Sequence, residues 1–207
     1  MKLTKFEQSG FIMETNSGLR IAFDIASLTP IEKLDGLKVD LFFVSHLHGD
    51  HLSLPHIKRL SPRLVYLNKE CLEVLGEETM PFQIADVTVG DDIFLEEGVS
   101  VKLFNVDHGP NVSAPVVENF GFLFNVDGQK VYFAGDMFYA SGIDVENLEV
   151  DYALLPVGGF YTFDPESALS FAKKFKKIST IIPMHYDKNP EACDEFVKIA
   201  SSEFKII

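Results

Sequence analysis

The chain has no tryptophan, only two cysteines among 207 residues, and far fewer basic than acidic side chains, with 18 Lys and Arg against 31 Asp and Glu. Each shortage excludes something. Two cysteines, Cys71 and Cys193, make neither a disulfide framework nor a cysteine zinc site, so they read as buried or half-buried free thiols of a reducing compartment. A formal net charge of −13 repels phosphate backbones and disfavours general nucleic-acid binding. No uncharged apolar run approaches the length of a membrane span, and "MKLTKFEQSG" has no apolar stretch of the signal-peptide kind. The expectation is a cytoplasmic protein with no membrane span. Ten prolines and fourteen glycines are ordinary usage and exclude a fibrous or low-complexity chain. What is abundant is apolar: 46% of the residues, enough for a sizeable core in one domain spanning residues 1–207.

Strand signals dominate the first two thirds. "FIMET" and "LRIAFDI" flank the turn "NSG", and "VDLFFVS" and "RLVYL" are apolar runs suited to strands buried on both faces. "FQIADVTVGDDIFLEEGVSVKLFNV" alternates between glycines and reads as a meander. "FGFLFNVDGQKVYFAG" reads as a hairpin closed at Asp127-Gly128. "VDYALLPV" and "ISTIIPM" are further buried strands. Helices are expected at "SLPHIKRL", at "KECLEVLGEE" and at "NPEACDEFVKIASSEF". Another is expected at "TFDPESALSFAKKFKKIS", with Asp164 as N-cap, Pro165 at the first turn, lysines at its C-terminal end and a core stripe of Leu169, Ala172 and Phe175. The fold class is α/β.

The histidines are few and placed together. Of six, three fall within "HLHGDH", as His46, His48 and His51, with Asp50 among them. The segment follows "DLFFVS", and the pattern recurs. "VSVKLFNVD" runs into His108, "VYFAG" into Asp136 and "TIIPM" into His185, so four apolar strands each deliver a metal-type side chain just past their C-terminal ends. Any one of these residues alone would read as a loop polar group or a turn. Together they carry the donor chemistry of a site for divalent ions, imidazole and carboxylate. His46 and His48 can grip one ion from an extended turn, and Asp50 and His51 can reach a second about 3.5–4 Å away. A water between such ions would be acidified toward a pKa near 7. His56, after Pro55 at a helix start, reads as a surface or supporting residue.

"HLHGDH", with His108, Asp136 and His185 in order behind it, resembles the metallo-β-lactamase superfamily. The likeness covers nearly the whole chain, from "GFIMETNSGLRIAFD" to "PMHYD". "NFGFLFNVDGQKVYFAGDM" and "LLPVGGFYTFDPESAL" are similar to the small stand-alone metal-dependent hydrolases related to ascorbate phosphate lactonase and to phospholipase D of the N-acyl phosphatidylethanolamine type. The resemblance implies a four-layer αββα sandwich. It implies that His46, His48 and His108 hold one metal, that Asp50, His51 and His185 hold the other, that Asp136 bridges them, and that Asp24 supports a ligand histidine. Two departures stand out. Relatives carry "GH" before the first hairpin where this chain has "EQSGFIME", and "DP" where it has Asp24-Ile25.

The activity implied is that of a binuclear hydrolase. A metal-bridging hydroxide attacks an ester, lactone or phosphodiester bond of a small-molecule substrate, with Asp50 orienting it and shuttling its proton. Two divalent ions are expected, zinc first, with manganese, iron or nickel also suited to nitrogen and oxygen donors. Tyr161 and Tyr186 are candidate substrate contacts, set against plain aromatic packing. The long loop 107–119 is a candidate pocket wall. An iron-dependent oxidoreductase on the same scaffold and a non-enzymatic metal-binding protein are the alternatives. The small size points to a second copy of the chain, a homo-oligomer, completing the pocket.

Overall fold

The structure is a computed structural model that describes residues 1–76, 80–109, 115–139 and 144–207. They form two compact units, Met1–Thr88 with Val116–Glu118, and Val89–Pro115 with Asn119–Ile207.

The first unit is built on a six-stranded sheet in sequential order: β1 (Lys2–Lys5), β2 (Phe11–Glu14), β3 (Arg20–Phe23), β4 (Leu41–Phe43), β5 (Leu64–Leu67) and β6 (Gln83–Asp86). β1 to β3 pair antiparallel, and β3 to β6 run parallel. Parallel neighbours need crossovers, and helices α1 (Leu54–Leu60) and α2 (Lys69–Leu75) lie in the connections after β4 and β5. Pro55 sits in the first turn of α1, and the Asn68 side chain caps α2 by accepting from the Cys71 amide. Successive strand residues face opposite ways. Phe42 joins a cluster with Val44, Ile57, Leu60, Val65 and Cys71, while Phe43 stacks on Tyr66 with ring centroids 4.4 Å apart. Both phenylalanines are fully buried, as the run "LFFV" requires. Burial pushes the Cys71 thiol up to about 12, so it packs as a small apolar group.

The second unit is built on a seven-stranded sheet. Its strands are β7 (Asp92–Phe94), β8 (Ser100–Asn105), β9 (Phe120–Val126), β10 (Gln129–Phe133), β11 (Glu149–Pro156), β12 (Lys177–Met184) and β13 (Lys205–Ile206), in the order β13-β12-β11-β10-β9-β8-β7. β7 to β10 pair antiparallel and β10 to β13 parallel. Asp127 and Gly128 both have left-handed backbone, φ 52° and 74°, which gives the two-residue turn whose twist suits a hairpin. Helices α3 (Pro165–Ala172) and α4 (Pro190–Ala200) follow β11 and β12. Asp164 caps α3 by accepting from the Ser167 amide at 2.8 Å. The buried stripe of α3 is Ala168, Phe171 and Ala172, with Phe175 beyond its end, and Phe171 and Phe175 pack on the buried Tyr132 ring.

Several expectations are corrected. The segment read as one meander is divided, because β6 joins the first sheet and β7 with β8 the second. Leu169 is half-buried and gives its place in the stripe to Ala168 and Phe171. Lys173, Lys174 and Lys176 lie at or past the end of α3, with no basic residue in its last turn. The edge strands β1 and β13 were not anticipated.

Strand direction sets up the site. β8 and β10 are both antiparallel to β9, and β12 is parallel to β10, so the C-terminal ends of β8, β10 and β12 share one edge. In the other sheet β3 and β4 likewise end on one edge.

Truncation of Phe42, fully buried, to alanine should cost about 3–5 kcal/mol in urea unfolding. The same change at Phe94, 83% exposed, should stay within about 0.5 kcal/mol. Equal losses would contradict this assignment of the core.

Candidate metal centre

In the first unit the donors are organised by Asp24, one residue past β3 in left-handed backbone with φ 50°. Its carboxylate is fully buried. It accepts from the Ser45 amide at 2.8 Å, from the Ser45 hydroxyl at 2.5 Å and from His51 Nδ1 at 2.8 Å. Burial pushes the Asp24 carboxyl above the usual carboxylate range, and the His51 imidazole and the Ser45 hydrogen bonds pull it back. The Ser45 hydroxyl also lies 2.9 Å from His46 Nδ1. Its proton already serves Asp24, so it accepts there from a protonated His46 Nδ1. One carboxylate, directly and through one serine, thereby sets the tautomer of two buried histidines. Both His46 and His51 present an unprotonated Nε2.

The remaining donors follow on a turn in which the His51 and Leu52 amides donate to the His48 carbonyl. His46 Nε2 and His48 Nδ1 are 3.0 Å apart, and His51 Nε2 lies 3.8 Å from Asp50 Oδ2. The Asp50 side chain is 25% exposed, while His46 and His51 are fully buried.

In the second unit His108, Asp136 and His185 are all buried on the shared sheet edge. Asp136 Oδ2 lies 3.5 Å from His108 Nε2 and 3.0 Å from His185 Nε2, so one carboxylate oxygen faces both imidazoles. Two glycines make the approach feasible. A Cβ on Gly135 would sit 2.5 Å from the Phe120 carbonyl oxygen, and one on Gly158 would sit 2.0 Å from the His185 carbonyl oxygen. The Asn119 amide donates to the Asp136 carbonyl at 2.9 Å. His185 itself is left-handed, φ 57°, and its Nδ1 is 3.5 Å from the Thr162 hydroxyl.

Each unit thus brings its share of the expected donors together. His46 with His48, Asp50 with His51, and Asp136 with His185 each offer ligand atoms within 4.8 Å of one another. Neutral imidazoles with one nitrogen held and the other presented, beside carboxylates, fit zinc and similar divalent ions. His56 is corrected: it is buried, held by the Ser53 hydroxyl at 2.7 Å and the Thr29 carbonyl at 2.8 Å, and is a structural residue of α1. Tyr186 is half-buried, its hydroxyl pushed up to about 12 by burial and then by Cys193 and Asp187, which fits packing against α4. Tyr161 is 50% exposed. Of the loop 107–119, residues 110–114 lie outside the described residues. Sequence reasoning missed Ser45, Asn119, Thr162 and Gln8, whose side-chain amide donates to Asp50 Oδ2 at 3.1 Å. Only Ser45 had a local signal, its place between a buried strand and His46.

This fold and these donors define a member of the β-lactamase superfamily, whose domain matches residues 2–185. Within it, the chain belongs with the UPF0173 metal-dependent hydrolases. It is 32% identical to one from Korarchaeum cryptofilum, over 92% of this chain and 85% of that protein, and 33% identical to one from Thermoplasma acidophilum, over 76% and 71%. Among solved structures, Igni18, a metallo hydrolase from Ignicoccus hospitalis, superposes with a TM-score of 0.79 at 28% identity, covering 99% of this chain and 93% of that one.

Replacing Asp24 by alanine would leave the Ser45 amide, the Ser45 hydroxyl and the His51 Nδ1 proton with no carboxylate to accept them. A loss of about 3 kcal/mol in urea unfolding is expected. A stability equal to that of the parent chain would show that the network carries no load.

Proposed function

We propose that the chain is a metal-dependent hydrolase of small molecules, cleaving an ester, lactone or phosphodiester bond. The observation that carries this reading is the Asp24–Ser45 network, which holds two buried imidazoles with Nε2 presented. Such an arrangement contributes little as core packing and much as a metal ligand set. Following the family resemblance, His46, His48 and His108 would hold one ion, Asp50, His51 and His185 would hold the other, Asp136 would contribute to both, and residues 1–207 would act as one functional domain. Zinc suits these donors best. Two such ions would supply Lewis acidity and acidify a water at neutral pH.

The protein's own groups do the rest. Asp24 and Ser45 fix the imidazoles, Asn119 holds the Asp136 backbone, and the glycines at 135 and 158 admit close approach. Asp50, whose side chain is 25% exposed, would take a proton from water and pass it to the leaving group. Among the described residues no helix is long and apolar enough to cross a membrane. A cytoplasmic site of action belongs to the same reading, from the cysteine usage of the sequence. A second copy completing the pocket belongs to the same reading, and light scattering that finds a monomer removes it.

Elemental analysis of the purified chain should give about two divalent ions per molecule, and a chelator should abolish turnover of a panel of lactone, ester and phosphodiester substrates until zinc or manganese is restored. Asp50→Asn should lower kcat by about 100-fold or more. Absence of bound metal, with no turnover after zinc or manganese is added, would overturn the proposal, and redox-active iron would move it to an oxidoreductase.

A further inference from the structure

Gln8 combines three features that do not ordinarily occur together. It lies in the turn between β1 and β2, where polar side chains normally reach solvent, yet it is only 2% exposed. Its backbone is left-handed, φ 54°, a conformation that glycine adopts without strain and a long side chain does not. Its side-chain amide donates to Asp50 Oδ2 at 3.1 Å across 42 positions of sequence.

The turn itself is locked. The Phe6 amide donates to the Gly10 carbonyl at 2.7 Å and the Gly10 amide to the Glu7 carbonyl at 3.0 Å. A Cβ on Gly10 would lie 3.1 Å from the Glu7 carbonyl oxygen and 3.2 Å from Ile25 Cγ1. The backbone therefore turns back at Gln8 and carries its side chain inward, where glycine would satisfy the turn alone. Strained backbone at a buried polar residue marks a side chain retained for what it contacts. The contact is the carboxylate assigned above to both ligation and proton transfer.

We propose that Gln8 is a positioning residue for Asp50. By donating to Oδ2, it holds the carboxylate in one rotamer, aimed toward the other donors of the candidate site. An amide does this without carrying charge or titrating, so it neither adds repulsion nor competes for the ion. The proposal rests on the metal-dependent reading of the site.

The test uses the full chain with Gln8→Gly, Gln8→Glu and Gln8→His. Gln8→Gly removes the amide and suits the left-handed backbone. Gln8→Glu sets a second carboxylate against Asp50, and Gln8→His restores an N–H donor. Zinc affinity by chelator competition should fall about 10-fold or more in the glycine and glutamate variants and recover most of the way in the histidine variant. On the best substrate of the panel, kcat should fall by a similar factor while KM stays within about 2-fold, the pattern of a lost transition-state contact. Melting of the metal-free proteins reports whether each variant is folded, and the glutamate and histidine pair decides the matter if the glycine variant is not. Unchanged zinc affinity and kcat in a parent chain that binds metal and turns over substrate would overturn the positioning role alone. Weakened zinc affinity in a chain that hydrolyses nothing would leave the role standing and overturn the hydrolase. A parent chain that takes up no zinc would overturn both.

Discussion

The first unit is organised around one buried carboxylate. Taking Asp24 out of water is costly unless every lone pair that matters finds a donor, and three donors are supplied within hydrogen-bond distance. Two of them come from Ser45, which is possible only because β3 and β4 are parallel neighbours in register from Ile21 with Leu41 to Phe23 with Phe43. Extending that register one step past Phe23 brings Asp24 to the next strand just before its histidines. Phe42 and Phe43 pack on opposite faces of the sheet, one in the Val44, Ile57, Leu60 and Val65 cluster and the other against Tyr66, and a slip of one residue would exchange those two environments. Core packing thus determines which nitrogen of His46 and His51 carries a proton, and so which can bind a metal.

Backbone strain is placed with the same economy. Ser61, Glu97 and Asp127 are left-handed where a helix ends, a short 3-10 turn bends or a hairpin closes. Gln8 and Phe160 are left-handed within turns as well, whereas Asp24 and His185 have the same conformation outside any hydrogen-bonded turn. Asp24 and His185 each follow directly on the last residue of a buried strand. A β-strand would send its next side chain to one face of the sheet. The left-handed step instead ends the strand and turns the donor along its edge. Each such residue carries a local penalty of about 1–3 kcal/mol that the buried strand behind it must offset.

The candidate donors stand out in the sequence because the signal is local: an apolar run, then histidine or aspartate within three residues, as after Phe43, Asn105, Phe133 and Met184. The hairpin at Asp127-Gly128 and the cap at Asp164 were legible for the same reason. The parts that were not legible depend on partners far along the chain. Alternation announces β6 and β7 as strands, but which sheet each joins is decided by pairing with Leu64–Leu67 or with β8. Gln8 reads as a turn residue until its side chain meets Asp50, and Asn119 reads as a loop amide until it meets the Asp136 carbonyl. Of the two readings of His56, surface and supporting, the surface one fails: Pro55 and a helix start suggest it, but the ring is buried and bonds the Thr29 carbonyl 27 positions away. β1 and β13 escaped because short edge strands with exposed alternate positions carry little apolar pattern.

The charge balance bears on what the proposed centre would accept. The formal charge of −13 covers the whole chain, whereas the positive charge of two bound ions would act at one place and bring the total only to −9. At physiological salt the field of surface carboxylates fades within about 8 Å. A small anionic or polarised group that reaches the ions would meet their charge at contact distance. A long polyanion would have to lay its other charges across acidic surface and would be repelled over most of its length. The same composition that disfavours nucleic acid would therefore favour a small substrate at the proposed metal centre. In such a centre the neutral hydrogen bond from Gln8 is better suited than a charged one, because it fixes Asp50 without altering the local field that draws the substrate in.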